Sequence, residues 1–232
     1  VDDLRPGSAW DRSLYYRFSS AENAHVTRVE TIGRLTDRLA LTLGASCKEF
    51  GDLEGGREVG TQEKTGYDER DVDAKLEYVT DGGGRFDLAH QAVVLDDAWR
   101  THKTVYGMDW EGLSVGDELR RVLDQNRELT YLQYHADERD GFAEEVHAGV
   151  SHHRQSEERD RVRSGDRHDV HGFNVHTCGA FLSVRSPSPL GTLTYGAEVY
   201  RDEVDSYTRQ LDADGSVRST AIQGPVGDDA TY

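Results

Sequence analysis

The segment from Asp96 to Arg127 concentrates side chains that could capture a ligand. Two of the three tryptophans of the chain lie in it, together with cationic groups and a tyrosine. Aromatic rings and cations suit an anionic, aromatic molecule, which they would hold by stacking and by charge. The alternative is that the tryptophans pack the segment onto its neighbours, and both interpretations stay open. The candidate ligand-binding residues are Trp99, Arg100, His102, Lys103, Tyr106 and Trp110.

Histidines are dense between His147 and His176, and neutral imidazoles bind transition metals. His152 and His153 are adjacent, however, so on a strand they face opposite sides. No pair of histidines shows the HExxH pattern or a similar ligand spacing. The spacing therefore argues against a metal site.

No catalytic motif is present in the sequence. It lacks the GxSxG nucleophile pattern and the GK[ST] phosphate loop, and Gly82-Gly83-Gly84 lies at a turn. Glu144 and Glu145 are adjacent, so they diverge on a strand, whereas catalytic carboxylates converge. The stretch from Asp212 to Ser216 begins like a calcium loop, but the distal glutamate is missing, which favours a turn. We therefore expect no enzyme, no metal and no other cofactor.

The composition excludes several classes of protein. The chain has 232 residues and a formal net charge of −17, which argues against nucleic acid as a partner. Only 35% of the residues are apolar, too few for the usual core of a soluble domain. No apolar run exceeds four residues, so no transmembrane helix is expected. Cys47 and Cys178 are too few for a disulfide scaffold and lack metal-ligand spacing.

Apolar and polar residues alternate with a period of two along most of the chain. Between Asp71 and Thr80, apolar side chains occupy the even positions and charged ones the odd positions. Such alternation predicts a strand with one apolar and one charged face. The pattern recurs often enough to predict an all-β chain of about nine or ten strands. The other alternating segments lie within 14–18, 39–46, 85–94, 142–153, 178–184 and 193–199.

Short turns and long polar segments connect these strands in alternation. Loops this long are uncommon in compact soluble domains, whereas bacterial outer-membrane barrels have short periplasmic turns and long external loops. Within one long segment, Ser114 to Leu123 has apolar residues at helical spacing, which predicts a short loop helix. The long segments are Cys47–Arg70, Asp96–Arg127 and Arg154–Asp169.

A transmembrane barrel accounts for the low apolar content. Its strands are apolar on the lipid face alone, because the other face lines a polar lumen. The sequence therefore predicts an antiparallel transmembrane β-barrel segment with the charged residues turned inward. Tyrosines near strand ends suit the aromatic girdle at the membrane interface. These tyrosines are Tyr78, Tyr134, Tyr195 and Tyr200.

Five stretches resemble the barrel of TonB-dependent outer-membrane receptors, and the resemblance covers most of the chain. It implies a barrel of about 22 strands that an N-terminal plug fills. It also implies import of a scarce nutrient, such as a ferric siderophore, with energy from the TonB complex. The stretches are GRLTDRLALTLGAS (33–46), EKTGYDERDVDAKLEY (63–78), DDAWRTHKT (96–104), ELTYLQYHA (128–136) and SPLGTLTYGAEVYRDEVDSY (188–207).

On this interpretation, residues 1–232 belong to one receptor barrel domain, whose plug and remaining strands are absent from this sequence. The expected location is the outer membrane of a Gram-negative type of cell. The expected partners are outer-membrane lipid, a small-molecule chelate, and the TonB complex through the absent plug. Two alternatives remain: the wall of an outer-membrane diffusion porin, whose acidic lumen would set cation preference, and a soluble acidic β-rich binding module.

Overall fold

The computed structural model describes residues 9–109, 111–112, 114–137, 141–165, 167–222 and 230–231. In this part of the chain strands dominate, the only helical element is a 3-10 turn at Thr101–Lys103, and the all-β prediction is confirmed. The first seven strands are β1 (Trp10–Ser19), β2 (Ala24–Thr36), β3 (Leu39–Phe50), β4 (Leu53–Glu54), β5 (Thr61–Gln62), β6 (Tyr67–Val79) and β7 (Arg85–Trp99). The others are β8 (Glu118–Ala136), β9 (Glu145–Arg163), β10 (Arg167–Ser188), β11 (Gly191–Leu211), β12 (Val217–Ala221) and β13 (Ala230–Thr231).

One antiparallel sheet contains all of these strands except β4 and β5. Its order is β1-β2-β3-β6-β7-β8-β9-β10-β11-β12, and β13 pairs with β11. Each strand of this path pairs with the one that precedes it, so the sheet is a meander interrupted once by the β4–β5 hairpin. Within the described residues β1 and β12 are not paired with each other. The described strands therefore form an open sheet, and closure into a barrel is not seen.

Two of the three predicted long loops are present, in shorter form. Residues 51–66 connect β3 to β6, and residues 100–117 connect β7 to β8, at the same end of the sheet. The predicted loop Arg154–Asp169 is wrong, because most of it is paired strand, and among its described residues only Ser164 and Gly165 form a turn. Both faces of the strands are polar here, so apolar alternation gave no sign of them.

The predicted helix from Ser114 to Leu123 is also wrong. Strand β8 begins at Glu118, and its backbone pairs with β9 from there and with β7 from Val122 onward. Val122 and Leu123 are buried between these neighbours. The apolar spacing looked helical because a register shift between Glu118 and Arg120 interrupts the period of two. In the described residues, no helix is both long and apolar enough to cross a membrane.

The described residues form no apolar core on either face of the sheet. The few buried apolar residues are mostly alanines, and Asp87, Glu118 and Asp169 are buried as well. In β6 the alternation is as predicted, but Val72 is half exposed, whereas the charged side chains opposite are less accessible. One face of the sheet is thus apolar and exposed, and we call it the apolar face. The other is charged and partly buried, and we call it the charged face.

Direct cross-strand pairing aligns the apolar side chains into rows. One row contains Leu41, Leu76, Leu88, Leu132 and Val150. A parallel row contains Leu39, Tyr78, Phe86, Tyr134 and Ala148. These rows form the centre of a larger region of exposed apolar side chains on this face, which we call the apolar band. It continues as Ala180 and Leu182 on β10 and as Val199 on β11.

The apolar band crosses the strands obliquely. On β11 the band covers Leu193–Val199, and on β1 it covers Leu14–Phe18. The row of directly paired residues that contains Val199 ends on β1 at Trp10. The band on β1 therefore lies further along the strand than direct pairing would place it. The band therefore shifts by about one residue per strand. With a rise of about 3.3 Å per residue and a strand spacing of about 4.8 Å, its slope is roughly 35–40°.

The predicted girdle tyrosines lie on both faces. Tyr78 and Tyr134 stand in one row of the apolar band, and Tyr195 lies on the same face opposite Val184. Tyr200 is on the charged face, where its ring lies against Gly179 of β10. A Cβ on that glycine would come within 2.6 Å of the ring, so the glycine makes room for the tyrosine.

Candidate functional site

The two long loops lie side by side at one end of the sheet. Strands β6 and β7 pair along their length, so the loop that enters β6 and the loop that leaves β7 are neighbours. Lys64 of the first loop reaches the second, with its Nζ 5.2 Å from the Trp99 ring centre and 5.9 Å from that of Tyr106. Residues 51–66 and 100–117 thus form one structural unit, which we call the loop pair.

Trp99 is the central contact of the loop pair. Its ring meets that of Tyr106 edge-on, with the centres 5.6 Å apart, and the guanidinium carbon of Arg120 lies 5.5 Å from the indole centre. A cation over an aromatic face stabilises by about 0.5–1 kcal/mol at a partly exposed site. Two cations and one ring therefore fasten the loops to the start of β8.

A bulge in β7 determines which way Trp99 points. The register shifts between Leu95 and Ala98, where Asp97 has a positive φ of 56°. After the shift, Trp99 pairs with Val122 and lies on the side of the apolar face, beyond the apolar band. Without this shift, Trp99 would face the charged side, as the odd-numbered residues of β7 before the bulge do. Trp99 consequently packs the loops rather than projecting from the charged face.

The base of the second loop is tightly fixed. Thr104 is fully buried, and its hydroxyl donates to the Thr101 carbonyl at 2.9 Å. The Val105 N–H donates to the Glu118 carbonyl at 3.0 Å. A Cβ on Gly116 would come within 2.0 Å of the Lys103 backbone, so only glycine permits this approach. The loop therefore presents a defined surface.

The predicted ligand-binding residues are only partly brought together. Trp99 and Tyr106 are in contact, whereas Arg100, His102 and Lys103 are exposed around the 3-10 turn. Trp110 lies outside the described residues. Sequence reasoning missed Lys64 and Arg120. Lys64 belongs to a different loop, and Arg120 belongs to the segment that was assigned to a helix, so no local pattern connected them to Trp99.

A groove of about 430 Å³ lies within the loop pair. Pockets for small molecules have volumes of about 300–1,000 Å³. His102 is the predicted residue that lines it, and Gln62 and Asp109 add further polar groups. The other lining residues are Gly55, Gly56, Val59, Thr101, Gly107 and Met108. The groove can hold a small ligand by apolar contact and a few hydrogen bonds.

Ion pairs join the strands across the charged face. Arg28 of β2 reaches across β3 and donates to Asp73 of β6 at 2.7 and 3.1 Å. Lys75 of β6 lies 3.0 Å from Asp87 of β7, which also accepts from Arg85 at 3.0 Å. Most of these groups remain partly accessible, so the face is polar and hydrated. Such a surface suits the wall of a water-filled space.

Two of the histidines lie on the faces that the sequence predicted. His152 and His153 lie on opposite faces. His152 contacts His176 of the next strand, with 3.2 Å between Nε2 and Nδ1, a pairing that the spacing did not reveal. In the described part of the chain, no group of three or more His, Cys, Asp or Glu side chains could hold a metal ion. Cys47 and Cys178 are free and exposed.

No family model matches the chain, and no curated protein matches it.

Proposed function

We propose that this chain forms part of the wall of an outer-membrane β-barrel, and that the barrel is a TonB-dependent receptor. The observation that carries the proposal is the pair of faces: large apolar side chains are exposed on one face, and charged side chains are linked by ion pairs on the other. Contiguous apolar patches beyond a few hundred Å² are rare on soluble monomers. Lipid covers such a face in a barrel, and water fills the opposite side.

The slope of the apolar band favours the wall of a barrel, whose strands are tilted, over a flat sheet. Strands of transmembrane barrels tilt by about 35–45° from the barrel axis. A membrane slab then crosses them obliquely and shifts by about one residue per strand, which agrees with the shift from Leu193–Val199 on β11 to Leu14–Phe18 on β1. In this proposal the apolar band contacts outer-membrane lipid.

The loop pair favours a receptor over a porin. A receptor needs an external surface that selects a ligand, and the groove beside His102 lies on loops of defined structure. Exposed Arg100 and Lys103 beside it suit an anionic chelate such as a ferric siderophore. The similarity of five stretches to TonB-dependent receptors points the same way. The plug and the contact with the TonB complex would come from other parts of the receptor.

Lipid contact is tested by fluorescence quenching from adjacent positions of β9. Val150 lies in the apolar band, and Ser151 is on the charged face. Each is replaced by cysteine in a background with Cys47→Ser and Cys178→Ser, and is labelled with an environment-sensitive dye. In bilayers with brominated acyl chains, we expect quenching at position 150 and none at position 151. Equal quenching at both positions would overturn the barrel wall.

Receptor activity is tested by uptake of ferric chelates in cells that carry the protein or lack it. We expect the protein to support uptake of at least one chelate, and His102→Ala to weaken its binding by about tenfold through loss of a groove contact. Val105→Ala is the matched control, since Val105 is exposed in the same loop and does not line the groove. Ion conductance without chelate uptake would favour the porin. A monodisperse protein without detergent would favour the soluble binding module.

A further inference from the structure

Arginines accumulate where the charged face meets the β9–β10 turn. Arg159, Arg161 and Arg163 alternate along β9 and therefore share this face. Arg161 pairs in register with Arg121 of β8, and Arg163 pairs with Arg167 of β10. We call these five residues the arginine cluster. This local concentration of positive charge contrasts with the net charge of −17 of the whole chain.

Two buried carboxylates neutralise only part of the arginine cluster. Asp169 accepts from Arg161 at 3.0 Å and from Arg163 at 3.0 Å. Glu118 accepts from Arg121 at 3.0 Å. Of the described residues, these two carboxylates are the ones that form ion pairs with the cluster. In the described part of the chain, five guanidinium groups thus face two carboxylates, which leaves an excess of positive charge.

Several donors of the arginine cluster are not used. Arg159 makes no hydrogen bond or ion pair with the described residues, and its buried Nε has no acceptor. The Nε of Arg163 is also buried without an acceptor. Burial lowers the pKa of Arg159, and the charges of Arg121 and Arg161 lower it further. A buried donor without an acceptor is unfavourable, and Arg163, unlike Arg159, lines a cavity that an oxyanion could enter.

A cavity of about 330 Å³ opens on the arginine cluster. Arg161, Arg163 and Arg167 line it from β9 and β10, and Arg218 lines it from β12. Among the described residues that line it, Asp169 is the one carboxylate. The Thr208 hydroxyl and the Gln210 amide of β11 supply neutral donors to the same space. The cavity thus combines a surplus of positive charge with hydrogen-bond donors on several sides.

We propose that the arginine cluster and its cavity bind a phosphate-type oxyanion, either inorganic phosphate or a small phosphate monoester. The planar fork of arginine matches the oxygens of phosphate and carboxylate alike. The surplus charge favours a dianion over a monocarboxylate. Asp169 does not contact the anion; it positions Arg161 and Arg163. The site lies on the charged face, opposite the apolar band, so a lipid headgroup does not reach it. This inference goes beyond the proposed function and does not depend on lipid contact.

Equilibrium dialysis with radiolabelled inorganic phosphate tests the site in the intact protein to which this chain belongs, purified in detergent micelles at low salt. We expect saturable binding, weakened by about tenfold or more in Arg163→Gln, because Arg163 lines the cavity and one charged hydrogen bond to the anion would be lost. Arg167→Gln is the second variant, since Arg167 is exposed and donates only to the Ser164 carbonyl among the described residues. Arg201→Gln is the matched control, because Arg201 lies on the opposite face of β11.

The two variants, the control and a vesicle assay separate the possible outcomes. Binding that is lost in Arg167→Gln and kept in Arg201→Gln supports the site, even where Arg163→Gln loses strand content by circular dichroism. Non-saturable binding, or equal weakening in Arg201→Gln, overturns it. Binding to phosphatidylglycerol vesicles without binding of inorganic phosphate also overturns it, because the source would then be a lipid headgroup. Quenching at position 150 is independent of every one of these outcomes.

Discussion

Asp87 and Leu88 are neighbours in β7, yet Asp87 is 4% exposed and Leu88 is 46% exposed. Asp87 lies between Lys75 and Arg85 on the charged face. Leu88 stands between Leu76 and Leu132 on the apolar face. A soluble protein normally has the opposite arrangement, with the leucine inside and the aspartate in water. The inversion is the physical basis for assigning lipid to one face and water to the other.

Leu88→Arg should destabilise the protein in a bilayer. An arginine on the lipid face near the midplane costs about 2–4 kcal/mol. Gln91→Arg is the control, because Gln91 lies on the charged face of the same strand, opposite Asp73, and should be tolerated. Urea unfolding in lipid vesicles gives the two free energies of unfolding. The same loss at both positions would contradict the assignment of the faces.

The two faces could be predicted from the sequence because apolar residues alternate with charged ones. Val72 and Leu76 are set against Asp71 and Lys75, and a period of two requires them to lie on opposite sides. The sequence did not show which face would be exposed. The apolar face would also suit a sandwich core, and only the pairing of Leu76 with Leu88 and of Leu88 with Leu132 revealed an open, continuous band.

The ends of the long strands could not be predicted, for a related reason. From Arg154 to Asp169 both faces are polar, so hydrophobic alternation gave no signal, although cross-strand ion pairs such as Arg161–Asp169 stabilise the strands. The contact between Lys64 and Trp99 joins residues of two loops. Predicting this contact requires the order of the strands in the sheet, which composition and residue spacing do not reveal.

Trp99→Ala should loosen the loop pair without unfolding the sheet. The substitution removes the ring that contacts Lys64, Tyr106 and Arg120, so each cation contact of about 0.5–1 kcal/mol is lost. We expect trypsin to cleave after Arg57 or Lys64 several-fold faster, as these residues lie in the released loop. Trp99→Phe keeps an aromatic face and should restore much of the protection. Unchanged cleavage in Trp99→Ala would mean that other contacts fix the loops.

Asp169 should make stability depend on pH in the acid range. Burial raises the pKa of Asp169, but the hydrogen bond from Arg161 and the charges of Arg161, His171 and Arg163 outweigh it, so the pKa lies below its ordinary value of 3.8. Asp169 is outside the apolar band, which on β10 covers 178–186. Its carboxylate therefore stabilises the folded state above about pH 4, and the stabilisation is lost as the pH falls through the folded pKa.

Asp169→Asn measures this contribution. We expect it to lower the free energy of unfolding by about 3 kcal/mol at neutral pH, because it leaves Arg161 and Arg163 without their shared partner. The difference from the unsubstituted protein should shrink as the pH falls from about 4 towards the folded pKa, where the carboxylate becomes protonated. Asp205→Asn, at an exposed position of β11, should show no such pH-dependent difference. A difference that is constant from neutral pH to pH 3 would contradict the ion-pair account.

Residues 1–232 alone should not form a stable monomer in a membrane. Among the described strands, β1 pairs with β2 alone, and the segment Gly191–Asp202 of β11 pairs with β10 alone. Each free edge presents unpaired N–H and C=O groups. The edge of β11 includes Leu193–Val199, which is the part that the apolar band would place in lipid. Each unpaired group in the hydrocarbon costs several kcal/mol, so further strands must complete the wall.

Refolding the isolated chain into detergent micelles tests this requirement directly. We expect aggregates or edge-to-edge oligomers, seen by light scattering after size exclusion, because intermolecular pairing is the available way to satisfy both edges. Adding strands that pair with β1 and β11 should convert these species into a defined one. A monodisperse, heat-modifiable monomer with full strand content would show that β1 and β11 pair with each other. The chain would then be a small barrel complete in itself, and the proposal of a larger receptor wall would fail.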